Sequence, residues 1–315
     1  MNEDFPTTGM EMERRFASEE DCRRYLEQLR WPDGFRCPSC QSADAWRMAR
    51  GLWLCAACRR QVSVTAGTIF QDSHLPLTVW FRAMWQVIVQ KNGVSALGLQ
   101  RTLGLGSYRT AWVLLHKLRR AMVRPGRDQL CGRVEVDETY WGAPEPGLRG
   151  RQIQDKTLIL IAAEERGKGI GRIRLRQAPA PSREHLHRFI GWVVAPGSAV
   201  RTDGLPAYLE MTGYPHERVV LRGQADLLPR VHRVASLLKR WLLGTHQGAV
   251  SDEQLDYYLD EFTFRFNRRA SASRGKLFYR LAQQTVVVDP HPLAKIRQTT
   301  TDRCWLSQVH SPVHT

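Results

Sequence analysis

The 315-residue sequence has no stretch approaching the roughly 18 uninterrupted apolar residues that a membrane-spanning helix needs. Its opening, Met1-Asn2-Glu3-Asp4-Phe5, lacks the basic stretch and apolar run of a secretory signal. The expectation is a soluble, cytoplasmic protein with no membrane partner. Acidic residues are scarce relative to basic ones: 31 Asp and Glu stand against 46 Lys and Arg, for a formal charge of +15. Such an excess points first to nucleic acid, with a basic enzyme of another kind as the alternative on charge alone. Cysteine is too sparse and too unevenly placed for a disulfide framework. Of the seven, four form two Cys-x-x-Cys pairs, and Cys22, Cys131 and Cys304 are scattered. What is present, 43% apolar residues over this length, excludes wholesale disorder and allows two or three compact domains.

Cys37-Pro38-Ser39-Cys40 and Cys55-Ala56-Ala57-Cys58 are separated by 14 residues, a spacing at which two tight turns close a tetrahedral four-thiolate site. This predicts structural Zn²⁺ on Cys37, Cys40, Cys55 and Cys58, with the Trp46 to Trp53 segment as a small hairpin between them. Two accidental redox pairs are the competing reading, but a redox motif of that type occurs once and beside a βαβ pattern. Four thiolates and one Zn²⁺ reduce the formal charge only to about +13. Arg47, Arg50, Arg59 and Arg60 surround the turns, either to meet phosphates or as a solvated face. Ahead of them Glu19 to Leu29 reads as a helix with Cys22, Tyr25, Leu26 and Leu29 on one face, expected to pack against the ribbon. The ribbon domain is placed at 15–70.

A helical segment at 75–125 follows. Trp80, Met84, Val87 and Ile88 recur at helical spacing, a second helix spans about Val94 to Leu103, and Gly104-Leu105-Gly106 makes a sharp turn. Ser107 is a plausible N-cap for a third helix carrying Arg109, Lys117 and Arg120. Helix, short glycine turn and basic helix is a helix-turn-helix arrangement, with those three cations as DNA contacts. An ordinary helical hairpin linking two domains is the alternative.

In Arg133-Val134-Glu135-Val136-Asp137-Glu138 apolar and acidic residues alternate, which predicts a strand with Glu135 and Asp137 on one face. Strands at Thr157 to Ala163 and Gly171 to Arg176, a helix from about Arg183 to Val194, and a strand ending at Asp203 come next. Three antiparallel strands, a helix and a further strand ending in Asp is the order of a ribonuclease-H-like core, an α/β fold with a mixed sheet, placed at 130–285. It brings Asp137 beside Asp203. Hard oxygen ligands suit Mg²⁺ or Mn²⁺. Taken alone, Asp203 is equally a helix N-cap ahead of Pro206.

At this point a family resemblance becomes specific. Val134-Glu135-Val136-Asp137-Glu138-Thr139-Tyr140-Trp141-Gly142 and Thr202-Asp203-Gly204-Leu205-Pro206-Ala207-Tyr208 resemble the first two catalytic motifs of zinc-ribbon insertion-sequence transposases. Gly67-Thr68-Ile69-Phe70 resembles that family's ribbon exit, and Tyr258 to Arg269 its closing helix. The match covers roughly residues 15 to 285. In the family pattern an acid on a helix precedes a Lys by seven residues. His232 stands where that acid is expected, with Lys239 seven residues on, about 10 Å away on one helix face.

The resemblance implies metal-dependent DNA cleavage and strand transfer at the ends of a mobile element. Asp137 and Asp203 would hold the metal, His232 complete the site and Lys239 position a phosphate. Imidazole suits Mn²⁺ better than Mg²⁺, so stronger activity with Mn²⁺ is expected. Asp226 and Glu261 are the replacements if His232 lies elsewhere. Arg268 and Arg269, at a helix C-terminus, are further DNA candidates. Double-stranded DNA, a homo-oligomer on that DNA and association with the nucleoid follow. A transposase-derived DNA-binding regulator without activity and a structure-selective nuclease are the competing functions. Residues 286–315 read as a polar tail without assigned function.

Overall fold

The computed structural model describes residues 3–124, 126–142, 156–219 and 227–297. In chain order its elements begin with α1 (Gly9–Arg15), α2 (Glu19–Arg30), β1 (Ala45–Arg47), β2 (Trp53–Cys55), β3 (Gln61–Val62), α3 (Leu77–Val89), α4 (Ala96–Leu103) and α5 (Tyr108–Ala121). Then come β4 (Arg133–Trp141), β5 (Thr157–Arg166), β6 (Gly169–Ala178), α6 (Arg183–Val193), β7 (Ala199–Thr202), β8 (His216–Arg218), α7 (Pro229–His246), α8 (Leu255–Asn267), α9 (Arg274–Thr285) and α10 (Leu293–Arg297). These fall into two compact units, one of residues up to about 125 joined by 270–297, the other of residues 126–269.

In the first unit β1, β2 and β3 form a small antiparallel sheet that carries the cysteine turns. Its own core is slight, consisting of Phe35, Cys37, Cys55 and Val62 with Trp31, Ala45 and Trp53 against them. The helical part has a larger aromatic core. Phe16 meets Tyr25 and Phe81 at centroid distances of 4.9 and 4.7 Å, and Phe278 of α9 lies 5.6 Å from both Phe16 and Phe81. The expected boundary at 285 is therefore corrected: α9 belongs to this unit and not to the catalytic domain, because its apolar face completes the core of α2 and α3. The N-terminal segment crosses α9 so closely that a Cβ on Gly275 would lie 1.9 Å from the Pro6 carbonyl oxygen.

Helix α2 packs against the ribbon, as expected. Its apolar face of Cys22, Tyr25 and Leu26 is buried among the helices, and it is the polar side that meets the ribbon, through Arg47 Nη2 to Glu20 Oε1 at 2.7 Å and Trp53 Nε1 to Glu27 Oε1 at 3.2 Å. Helices α4 and α5 form the expected pair. Gly104 ends α4 in the left-handed conformation (φ 62°), and the Ser107 hydroxyl caps α5 by accepting from the Thr110 N–H at 3.1 Å.

The second unit is a five-stranded sheet of order β6-β5-β4-β7-β8. β4, β5 and β6 are antiparallel neighbours, whereas β7 runs parallel to β4 and β8 parallel to β7. β8 has no counterpart among the sequence-based strands. β5 is buried on both faces, as a central strand between two helical layers must be. Val134, Val136, Leu158, Leu160 and Val200 face α6, while Ile159, Ile161, Ile173 and Leu175 face α7 and α8. Alternation along β4 thus turns Glu135 and Asp137 toward the α7 side. This three-layer mixed sheet is the expected ribonuclease-H-like fold. Among the described residues no helix is long and apolar enough to cross a membrane.

Candidate functional site: paired carboxylates and a histidine

The register fixes the acidic pair. The parallel pairing of β4 with β7 ends at Glu135 opposite Arg201; Asp137 lies two residues beyond it on β4, and Asp203 two residues beyond it, just past the end of β7. Neighbouring strands run about 4.8 Å apart, and the Asp203 carboxylate is near enough to act on that of Asp137. Asp203 Oδ1 accepts from the Leu205 N–H at 3.0 Å, a turn of two residues. The N-cap alternative is corrected: Pro206–Tyr208 is a single tight turn whose capping position is Leu205, and Asp203 instead braces the loop that leaves β7.

Helix α7 supplies the third group. His232 Nε2 lies 3.2 Å from Asp137 Oδ2, with the His232 side chain 52% and the Asp137 side chain 16% exposed. Lys239, two turns on, is half-buried; burial, and then the neighbouring Lys156, hold its ammonium below the usual range. Burial pushes the Asp137 carboxyl up to about 6, the adjacent Glu138 carboxylate adds to this, and Asp203 acts in the same direction, while a backbone N–H and His232 oppose it. Glu138 accepts from the buried Tyr208 hydroxyl at 3.0 Å. His232 meets Asp137, and Asp203 is near enough to raise the Asp137 carboxyl, yet among the described residues the four cysteines are the group that brings three or more possible ligand atoms together. Glu261 is buried in α8 and paired with Arg265 Nε at 2.8 Å; Asp226 lies outside the described residues.

The cysteine site is closed. The four sulfurs lie within 4.8 Å of one another, with Cys37 to Cys58 at 3.6 Å and Cys40 to Cys55 at 3.5 Å. Backbone N–H groups of Cys40 and Ser39 bring the Cys37 thiol down to about 6. For Cys40 the Ser42 N–H acts the same way, yet the neighbouring sulfurs, Cys55 foremost, hold its thiol up at about 12. Four sulfurs so packed become thiolates together only around a cation, and their spacing suits tetrahedral Zn²⁺.

The basic candidates separate. Arg109 is exposed at the start of α5 and Arg120 is half-buried. Lys117 is corrected: it is 8% exposed, its ammonium donates to the Ile69 carbonyl at 3.3 Å, and it lies 5.9 Å over the Trp80 ring, all inside the first unit. Arg268, half-buried, and Arg269, exposed, both make contacts within their own domain. Arg268 rests 4.0 Å from the Phe264 ring, and Arg269 donates to the carbonyls of Phe266, Gly171 and Ile170. Of the ribbon arginines Arg47 docks on Glu20 and Arg60 on Ser39, whereas Arg59 sits 5.6 Å over the ring of Trp46, itself 54% exposed. The Trp46 and Arg59 pair was not singled out as a surface in the sequence; an aromatic beside a basic turn residue was its only signal.

The chain is similar to several known proteins. An ISXO2-like transposase domain matches residues 129–267, enclosing Asp137, Asp203, His232 and Lys239 and ending before α9. A transposase zinc-ribbon domain matches residues 17–61. An uncharacterized protein in transposable element ISH50 of Halobacterium salinarum is 28% identical over 280 residues, spanning 79% of this chain and 91% of that one. Among solved structures, the catalytic core domain of BIV integrase aligns with 15% identity over 45% of this chain and 88% of that one, at a TM-score of 0.32. The simian T-cell lymphotropic virus intasome gives the same identity and TM-score over 70% of this chain and 78% of that one. The fold assignment rests on the strand order and not on these partial superpositions. With ribbon and catalytic-domain matches in order on one chain and together spanning more than half of it, the protein belongs to the zinc-ribbon insertion-sequence transposases.

Proposed function

We propose that the chain cuts the ends of its mobile element and joins them to target DNA at the centre formed by Asp137, Asp203 and His232. The observation that carries this is the 3.2 Å approach of His232 to Asp137, which puts an imidazole where a carboxylate is expected. Bound divalent metal, for which the softer imidazole favours Mn²⁺ over Mg²⁺, supplies Lewis acidity to the phosphodiester and to the attacking oxygen. Asp137 and Asp203 would hold that metal, through which the scissile phosphate would be oriented, with His232 completing the site, and Lys239 holds a neighbouring phosphate by charge. In the first step water attacks phosphorus and the P–O3′ bond breaks, leaving a 3′-hydroxyl and a 5′-phosphate. In the second that hydroxyl attacks a target phosphodiester and displaces another 3′-oxygen, so the number of phosphodiester bonds is conserved.

DNA is held by the exposed Arg109 end of α5, by Arg120 and by the Trp46 and Arg59 surface of the ribbon, with Zn²⁺ keeping the ribbon folded. Pairing of two element ends calls for at least two copies of the chain on double-stranded DNA. The test uses zinc-loaded protein and a duplex carrying the inverted repeat that flanks its gene. Nicking in Mn²⁺ that is lost in Asp203→Asn, together with joined products, supports the proposal. Binding without nicking overturns it in favour of the regulator, and nicking without joining leaves a nuclease.

A further inference from the structure

Glu135 lies two residues before Asp137 on the same face of β4, and the chemistry above gives it no task. Its side chain is 1% exposed, a costly place for a carboxylate unless its oxygens are fully engaged. They are engaged by a single helix. Oε2 accepts from the backbone N–H groups of Arg230 at 2.8 Å and Val231 at 3.1 Å, and Oε1 accepts from Arg230 Nη1 at 2.7 Å. Helix α7 has no cap of its own, because Leu228 precedes it and Pro229 opens it. The first turn of a helix leaves N–H groups without partners. Pro229 removes one, and Glu135 takes the next two while its negative charge meets the positive helix end. The guanidinium of Arg230 then reaches the β5–β6 turn, at Glu165 Oε1 (2.7 Å), Gly167 O (3.0 Å) and Gly169 O (3.2 Å).

The next residue on the helix is His232. α7 is thus docked on β4 at two points about 6.6 Å apart, Glu135 holding the N–H groups and Asp137 meeting the imidazole. Val231, Val234, Leu238 and Leu242 already pack α7 into the core, so the two polar points act on its first turn and set where that turn meets β4. Helix α3, whose capping position is Pro76, begins by the same device: Glu19 of α2 accepts from the Leu77 and Thr78 N–H groups at 2.9 and 2.8 Å.

We propose that Glu135 is a positioning residue, a helix cap supplied from β4 that sets His232 against Asp137. With its oxygens engaged by N–H donors, it anchors the helix and holds no metal. Its catalytic consequence rests on the function proposed above; the capping itself does not.

The test is a double-mutant cycle in the full zinc-loaded chain, read by Mn²⁺ binding, by end cleavage and by amide exchange. Glu135→Ala removes cap and charge, whereas Glu135→Gln keeps an oxygen for the two N–H groups. Glu135→Ala is expected to weaken Mn²⁺ binding about tenfold, to speed exchange at Arg230 to Arg233, and to lower kcat about a hundredfold with little change in KM for DNA. Glu135→Gln falls between Ala and the wild type. In a His232→Ala background Glu135→Gln has no further effect on Mn²⁺ affinity, because what it positions is gone. An equal loss of affinity with and without His232 overturns the proposal and makes Glu135 a ligand or a general structural group. Unchanged exchange at the start of α7 in both Glu135 variants overturns it as well. If Glu135→Ala does not fold, Glu135→Gln decides. If the wild type neither binds Mn²⁺ nor nicks, the functional reading fails and exchange alone still judges the cap.

Discussion

The sulfur pair that closes the ribbon is 21 residues apart in sequence, whereas His232 reaches Asp137 across 95. The first centre sits in a core of a few side chains, with Cys37 and Cys55 buried and Cys40 and Cys58 exposed. The second sits on a five-stranded sheet with buried layers on both faces and stays half-open. A local centre with little core around it depends on its ion for folding. A long-range centre on a finished sheet can accept and release an ion without unfolding, and it carries the cost of repelling carboxylates for that freedom.

The largest expected effect tests the first half of that contrast. Removing Zn²⁺ with a chelator should unfold the ribbon outright, since structural zinc contributes about 10–16 kcal/mol to such modules. Amide exchange should show protection lost at Cys37–Val62 and kept in β4 and β5; loss throughout the chain would break the contrast. Next, Asp137→Asn or Asp203→Asn should reduce end cleavage at least about a thousandfold, with the circular dichroism melt intact. His232→Ala should cost about 10- to 100-fold in Mn²⁺ affinity and narrow the ratio of Mn²⁺- to Mg²⁺-supported cleavage toward one.

A pH scan then measures the repulsion directly. With its carboxyl raised to about 6 in the fold and 3.8 in the unfolded chain, Asp137 binds more protons when native between those values. Stability of protein without Mg²⁺ or Mn²⁺ should therefore fall as pH rises from about 4 to 6, by on the order of 2 kcal/mol, and Asp137→Asn should flatten that slope in thermal melts. The smallest effect concerns the surface. Arg109→Ala should weaken DNA binding by about 1 kcal/mol or more and, if the contact is to phosphate, lower the salt slope by about one.

The same contrast explains what could be read from the sequence. The cysteine turns are local, so their spacing alone defines them, and the half-buried β4 declares itself by alternation. Asp137 and Asp203 were singled out as the ends of two strands in a familiar order; Asp203 does follow the last residue of β7, but Asp137 lies in the middle of β4, which runs on to Trp141. His232 was legible only through the seven-residue step to Lys239. Glu135 was not, since its partners Arg230 and Val231 are 95 and 96 residues away and nothing at their positions marks a capping role. Lys117 misled because most of α5 is buried, so charge did not mark the solvent side; its long stem lets a cation point inward and still find a carbonyl. The boundary at 285 followed the extent of the family resemblance, which does not say whose core residues 274–285 complete.

The placement of α9 has a consequence for synthesis. The ribosome delivers the chain at about 5–20 residues per second and domains generally fold as units. The unit with the ribbon and α4–α5 lacks part of its core until Phe278 has emerged, after the whole of the catalytic sheet. Nascent chains therefore carry an unfinished front end throughout the time in which the sheet assembles, and chains terminated before α9 would leave the aromatic faces of α2 and α3 uncovered. Completion of the front unit therefore waits until translation has passed the catalytic residues.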